Sequence, residues 1–183
     1  MTSKPAFLFD LDGTLADTLP DLAASTNYVR EQNGLQAVSE ATVRTYIGDG
    51  ARTLLQRALA ERNPDEQAID KAFASYIEHH QAQCTMQTQL FPGAHEYLEQ
   101  LCRSGHAIAV VTNKPEQFAV PVAKHLGLDE FTSVIVGGDT LPTRKPDSAM
   151  LRHALKQLGS SSDGATMVGD GLQDIRSGKR MGV

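Results

Sequence analysis

Phe7-Leu8-Phe9-Asp10-Leu11-Asp12-Gly13-Thr14-Leu15 is the stretch on which the reading of this chain turns. Three apolar residues run straight into two carboxylates one residue apart, then a glycine and a threonine. Side chains alternate along a strand, so Asp10 and Asp12 are expected on one side wherever strand geometry persists. A buried strand ending in adjacent, mutually repelling charges makes sense if a cation neutralises them and one of them does chemistry. Repulsion within such a pair tends to raise one pKa, which suits general acid work near neutral pH. Gly13 lets the backbone turn and approach a bound anion closely. Asp-Gly alone reads as a turn closing a strand; the full run says more.

Outward from this stretch, Pro5 to Leu11 reads as a buried strand. From about Asp17 to Gln89 the pattern is helical, with Leu54, Leu55, Ala58 and Leu59, then Ile69, Phe73, Tyr76 and Ile77, at helical spacing. Phe91-Pro92-Gly93 punctuates the chain. Helices are then expected around 95–103, 116–126 and 148–158 and behind Asp170, alternating with apolar runs at 107–112, 133–136 and 165–170. Such alternation predicts an α/β fold, a Rossmann-like parallel sheet with helices on both faces. The expected division is an α/β core of residues 1–16 and 91–183 with an inserted helical cap of 17–90. Ligands of such sheets bind beyond the carboxyl ends of the strands. Asp10/Asp12, Thr112/Asn113, Gly138/Asp139 and Gly169/Asp170 are therefore expected on one rim. The insertion leaves the sheet at that rim, where it can serve as a lid.

The 183 residues and ordinary hydrophobic content of 40% suit one domain with a sizeable insertion. A net charge of −5 argues against nucleic-acid or anionic-membrane partners, so any bound phosphate needs a local positive site. Cys84 and Cys102 have no metal-ligand spacing and read as reduced thiols of a cytoplasmic protein. No apolar run approaches the ~18 residues of a membrane span, and no secretory signal is expected. His79-His80 is no joint metal site on this reading, because neighbours on a helix point apart.

Three further segments carry candidate chemistry. In Val111-Thr112-Asn113-Lys114-Pro115, Thr112 and Asn113 can bind a phosphoryl oxygen near a helix N-terminus, or simply cap that helix. Lys145, before Pro146 at a helix start, can project to the rim as a point charge, with Arg144 as its competitor. In Met167-Val168-Gly169-Asp170-Gly171-Leu172-Gln173-Asp174, Asp170 completes an oxygen-rich pocket with Asp10 and Asp12. Asp174, a turn later, is either a further ligand or a first-turn acid favoured by the helix dipole. Carboxylates with water are hard ligands suited to Mg²⁺.

These elements in this order resemble the haloacid dehalogenase-like phosphohydrolases over nearly the whole chain. The resemblance implies Asp10 as the nucleophile forming an aspartyl-phosphate, and Asp12 as the acid/base, also offering its carbonyl to the metal. It implies Thr112 as the phosphate-binding hydroxyl, Lys145 as the stabilising lysine and Asp170 as the acidic metal ligand. Asp10, Asp12, Asp170 and Asp174 are thus the expected metal set, with Mg²⁺ as cofactor. Gly13, Thr14, Asn113, Gly48 and Gly50 are the expected substrate contacts. Tyr46-Ile47-Gly48-Asp49-Gly50, Val111-Thr112-Asn113-Lys114-Pro115 and Gly137-Gly138-Asp139-Thr140-Leu141-Pro142 resemble the phosphoglycolate phosphatase branch. That branch implies a small phosphorylated acid as substrate, its carboxylate met by Arg52 or Lys114. The family pattern continues past Gly182-Val183 with another strand, so the 166–169 strand is expected as an exposed edge. Pyrophosphate or a phosphosugar is the competing substrate, and a truncated, non-catalytic relative the competing class. A monomer or homodimer is expected.

Overall fold

The computed structural model describes residues 4–183. Its elements run β1 (Ala6–Phe9), β2 (Ala16–Asp17), α1 (Leu19–Gln32), α2 (Glu40–Arg44), α3 (Ala51–Ala58) and α4 (Glu66–Gln83). They continue with β3 (Gln89–Leu90), α5 (Ala94–Arg103), β4 (Ala107–Val111), α6 (Glu116–His125), β5 (Ile135–Val136), α7 (Ala149–Leu158), β6 (Thr166–Val168) and α8 (Leu172–Met181). The chain divides into two compact units, Thr18–Thr88 and the residues flanking it on both sides.

In the α/β unit, β5-β4-β1-β6 form one sheet in that order. All three pairings are parallel, with Phe7 opposite Ile108 and Thr166, and Val110 opposite Ile135. The first strand therefore sits inside the sheet, and among the described residues β6 pairs with β1 alone, at the edge of the sheet. Strand alternation sends Ala6, Leu8, Ala109 and Val111 into one core with Met150, Leu151, Ala154 and Leu155 of α7. Met181 and Val183 pack against the same cluster. Residues of opposite parity serve the other face, where the Phe9 ring meets Tyr97 of α5 edge-on at 6.3 Å. Burying a side chain such as Leu8, fully enclosed here, contributes roughly 2 kcal/mol.

Two expectations need correction. The first strand ends at Phe9, before both aspartates, because the Leu11 carbonyl accepts the N–H groups of Thr14, Leu15 and Ala16 in a tight turn. Strand alternation thus does not govern Asp12. The helical stretch is also bracketed by β2 and β3, an antiparallel ribbon pairing Ala16 with Leu90 and Asp17 with Gln89. Two-residue strands leave no periodic signal, so the sequence pattern missed them.

The helical unit is held by buried polar pins as well as apolar packing of Leu19 and Ala23 of α1 against Val43 of α2. Pro20 opens α1, where its missing N–H costs nothing, and Asp65 caps α4 by accepting from Ala68 N at 2.8 Å. Asp21, fully buried, accepts from the N–H groups of Gln87 and Thr88, the Thr88 hydroxyl and the Gln83 amide. Arg30 donates to the carbonyls of Gln36 and Ala58 and pairs with Glu61 at 2.7 Å. His79 and His80 do not part as far as helical geometry suggested. Their Nδ1 atoms lie 3.2 and 2.8 Å from the same Ser25 hydroxyl.

Candidate active site

At the carboxyl end of β1, Asp10 continues the ladder for one residue, its N–H donating to Val168 O at 2.9 Å. The backbone then leaves the sheet, so the side chain faces the rim. Asp170 follows β6 and Asp174 lies in the first turn of α8. One carboxylate oxygen from each of Asp10, Asp170 and Asp174 lies within 4.8 Å of the others. Gly13 has φ +82°, and a Cβ there would fall 2.6 Å from Asp170 Oδ2. Only glycine permits both that turn and that approach. Thr14 Oγ1 donates to Asp170 Oδ1 at a long 3.3 Å.

Lys145 enters this cluster almost wholly buried, its side chain 1% exposed. Its Nζ lies 2.9 Å from Asp10 Oδ1 and donates to Asp174 Oδ1 at 2.6 Å and to Val111 O at 2.7 Å. Arg144 is exposed, which decides between the two neighbours. Lys145 sits in the loop before α7, whose N-cap is Ser148, rather than at the helix start. Asp174 is a first-turn acid of α8. One of its oxygens holds Lys145, while the other accepts from Gly171 N at 3.0 Å.

Thr112 and Asn113 do not cap α6, whose N-cap is Pro115. The Thr112 hydroxyl, buried, accepts from Lys114 N at 3.1 Å. Asn113 donates its amide to the Lys145 carbonyl at 2.9 Å, fixing the loop that carries the lysine. That loop crosses the 113–116 segment closely, for a Cβ on Gly138 would lie 2.3 Å from Asn113 O. Asp12 stands apart from the three-carboxylate cluster. Lys114, its side chain 3% exposed, donates to Asp12 Oδ1 at 3.0 Å. Neither this pair nor the Lys145–Asp174 pair was signalled by the sequence pattern.

The pKa raised by these surroundings belongs to Asp10, moved from 3.8 to about 6. Burial is the main cause; Lys145 opposes it, and the charges of Asp174 and then Asp12 add to it. Repulsion by the neighbouring aspartate is thus a minor contributor. Asp10 remains mainly ionised at neutral pH, as a nucleophile requires.

Gly48 and Gly50 belong to the helical unit, with φ of 117° and 86°, and Gly50 is the N-cap of α3. Arg52, one candidate for a substrate carboxylate, is engaged by Glu66 at 2.5 Å and Asp70 at 2.6 Å. Lys114, the other, faces Asp12.

Taken chemically, three carboxylates around one lysine leave two negative charges uncompensated. All the free donors are hard oxygens, a set that suits a divalent cation. The model of the haloacid dehalogenase-like hydrolase family matches residues 7–183. The chain belongs to the haloacid dehalogenase-like hydrolases. The phosphoglycolate phosphatase of Neisseria meningitidis is 39% identical over 180 residues, covering 97% of this chain and 77% of that protein. That of Nitrosococcus oceani is 35% identical over 175 residues, covering 94% and 78%. The crystal structure of a predicted phosphoglycolate phosphatase from Haemophilus somnus superimposes with a TM-score of 0.90. It is 33% identical, covering all of this chain and 84% of that one. As an enzyme, this member of the family is a phosphoric monoester hydrolase. No described helix is long and apolar enough to cross a membrane.

Proposed function

We propose that this hydrolase is a cytoplasmic, Mg²⁺-dependent phosphatase of a small phosphorylated acid, 2-phosphoglycolate, releasing glycolate and phosphate. The residues 17–90 serve as its helical cap. The single observation that carries the reading is Asp10, a largely buried carboxylate set 2.9 Å from Lys145, with Asp170 and Asp174 clustered around it. Identity of 33–39% to phosphoglycolate phosphatases over nearly the whole chain supports the substrate.

On this reading an Asp10 oxygen attacks phosphorus while the bond to the leaving oxygen breaks, giving an aspartyl-phosphate. Asp12 gives its proton to the departing alkoxide. A water then attacks phosphorus and yields its proton to Asp12, and the bond between phosphorus and Asp10 breaks, restoring the Asp10 carboxylate and the protonated Asp12. Lys145 offsets charge on the phosphoryl oxygens, and the Thr112 hydroxyl, Asn113 and the turn at Gly13 and Thr14 receive the phosphate. Asp10, Asp170 and the Asp12 carbonyl would hold Mg²⁺. Asp174, with both oxygens engaged, instead keeps Lys145 in place. When bound, Mg²⁺ withdraws charge from the phosphoryl group and orients it.

A panel of phosphate monoesters and pyrophosphate, assayed with and without Mg²⁺, tests the proposal. The highest kcat/KM is expected for 2-phosphoglycolate. Preference for a sugar phosphate or pyrophosphate replaces the substrate but keeps the chemistry. Failure to turn over even an activated aryl phosphate would leave a non-catalytic relative.

A further inference from the structure

Lys114 has no role in the chemistry above, yet its placement is demanding. Its ammonium is buried, 3.0 Å from an Asp12 carboxylate whose side chain is only 13% exposed. Burying a lysine carries a desolvation cost that one ion pair often fails to repay, so stability alone is a poor reason for such a pair. The backbone beneath it is pinned on both sides. Its N–H donates to the Thr112 hydroxyl, and its carbonyl accepts from Gly138 N at 2.8 Å. The other end of the pair lies in a tight turn, closed by Gly13 N on Ala16 O at 2.9 Å. Lys114 therefore reaches across from the end of β4 to the turn after β1, between two fixed pieces of backbone. It draws the Asp12 carboxylate away from the cluster of Asp10, Asp170 and Asp174.

We propose that Lys114 is a positioning residue for Asp12, orienting its carboxylate for proton transfer rather than binding the substrate. The inference rests on the reading of Asp12 as the acid/base. The ammonium donates to Oδ1 and so fixes the direction in which the carboxylate is held. Lys145 and Lys114 thus divide the work: one serves the nucleophile, the other the proton carrier. General acid–base groups supply ~10²–10⁴-fold, and a misplacement of about 1 Å can cost ~10²-fold, so orientation is worth most of that factor.

A double-mutant cycle on the whole chain, with MgCl₂ and 2-phosphoglycolate, tests this. The variants are K114M, K114R, D12N and D12N/K114M. K114M is expected to lower kcat by ~10–100-fold while KM stays within about threefold, and K114R to recover part of the loss. In D12N, adding K114M should change kcat by less than about twofold, because the lysine then has no proton carrier to orient. With p-nitrophenyl phosphate, whose leaving group needs no proton, K114M should show a burst of nitrophenol followed by slow turnover. The burst reports water attack on the aspartyl-phosphate, which a merely structural role would not single out. Should K114M fail to fold, K114R measured with and without D12N gives the same cycle. A KM increase at constant kcat would make Lys114 a substrate contact and overturn the inference. So would an equal loss from K114M on the D12N background, and in both cases the proposed reaction would survive. Wild-type turnover by D12N would remove the acid/base reading of Asp12, and the inference with it.

Discussion

Two buried carboxylates, one in each unit, show how differently the same side chain can be housed. Asp21 in the helical unit is fully enclosed, and its oxygens accept two backbone N–H groups, a hydroxyl and an amide. Every donor belongs to the segment 83–88, so the carboxylate ties α1 to the end of α4 and the residues after it. Asp10 in the α/β unit is instead crowded by Asp174 and Asp170 and faces a lysine that it shares. A satisfied carboxylate is a pin. A crowded one, raised to about 6 chiefly by burial and then by the charges of Asp174 and Asp12, is held in an unfavourable state, and that is a signature of a reactive site.

The strongest way to break this contrast is D10N. It should lower turnover by at least ~10⁴-fold while circular dichroism shows an unchanged fold, since the amide cannot form the acyl phosphate. Substantial remaining activity would sink the assignment of the nucleophile. Next in size is K145M. It should reduce kcat by ~10²–10³-fold and leave Asp10 and Asp174 facing each other without a counter-charge, lowering stability by about 3 kcal/mol in urea titrations. A K145M protein as active as the parent would mean that Lys145 only balances buried charge.

D21N probes the other side of the comparison. The amide turns a donor toward donors, so about 2 kcal/mol of stability and roughly 5 °C of melting temperature should be lost. Below that temperature, turnover should stay within about twofold. A collapse of kcat in folded D21N would show that Asp21 is more than a pin.

The last effect concerns pH. The pKa of Asp10 is higher folded than unfolded, so its contribution to stability is fully present below 3.8 and is lost as pH rises through about 6. Metal-free D10N should therefore melt about 5 °C above metal-free parent protein at pH 7, and this difference should vanish near pH 4. A difference that does not vary with pH would contradict the crowded state of Asp10.

Much of the candidate site was legible before any coordinates. Asp10, Thr112 and Asp170 each follow an apolar run, and in a parallel sheet such positions share an edge. Asn113 was legible as polar and near the site, but its partner was not. It holds the carbonyl of Lys145, 32 residues away. Strand alternation puts Asp12 on the same side as Asp10. The turn at Leu11 ends that alternation and hands Asp12 to Lys114, 102 residues away. The resemblance names Lys145, but charge and position alone do not separate it from Arg144; burial does, with Lys145 enclosed and Arg144 exposed.

By itself, then, the sequence determined the alternation of strands and helices, the helical insertion and the carboxylates that finish the strands. All of these follow from local periodicity and from the cost of burying charge. Only the tertiary structure decided which lysine meets which carboxylate. The order β5-β4-β1-β6 and the close crossing at Gly138 bring together loops remote in the chain. A cation reaching across such a gap leaves no periodic trace in either of the segments it joins.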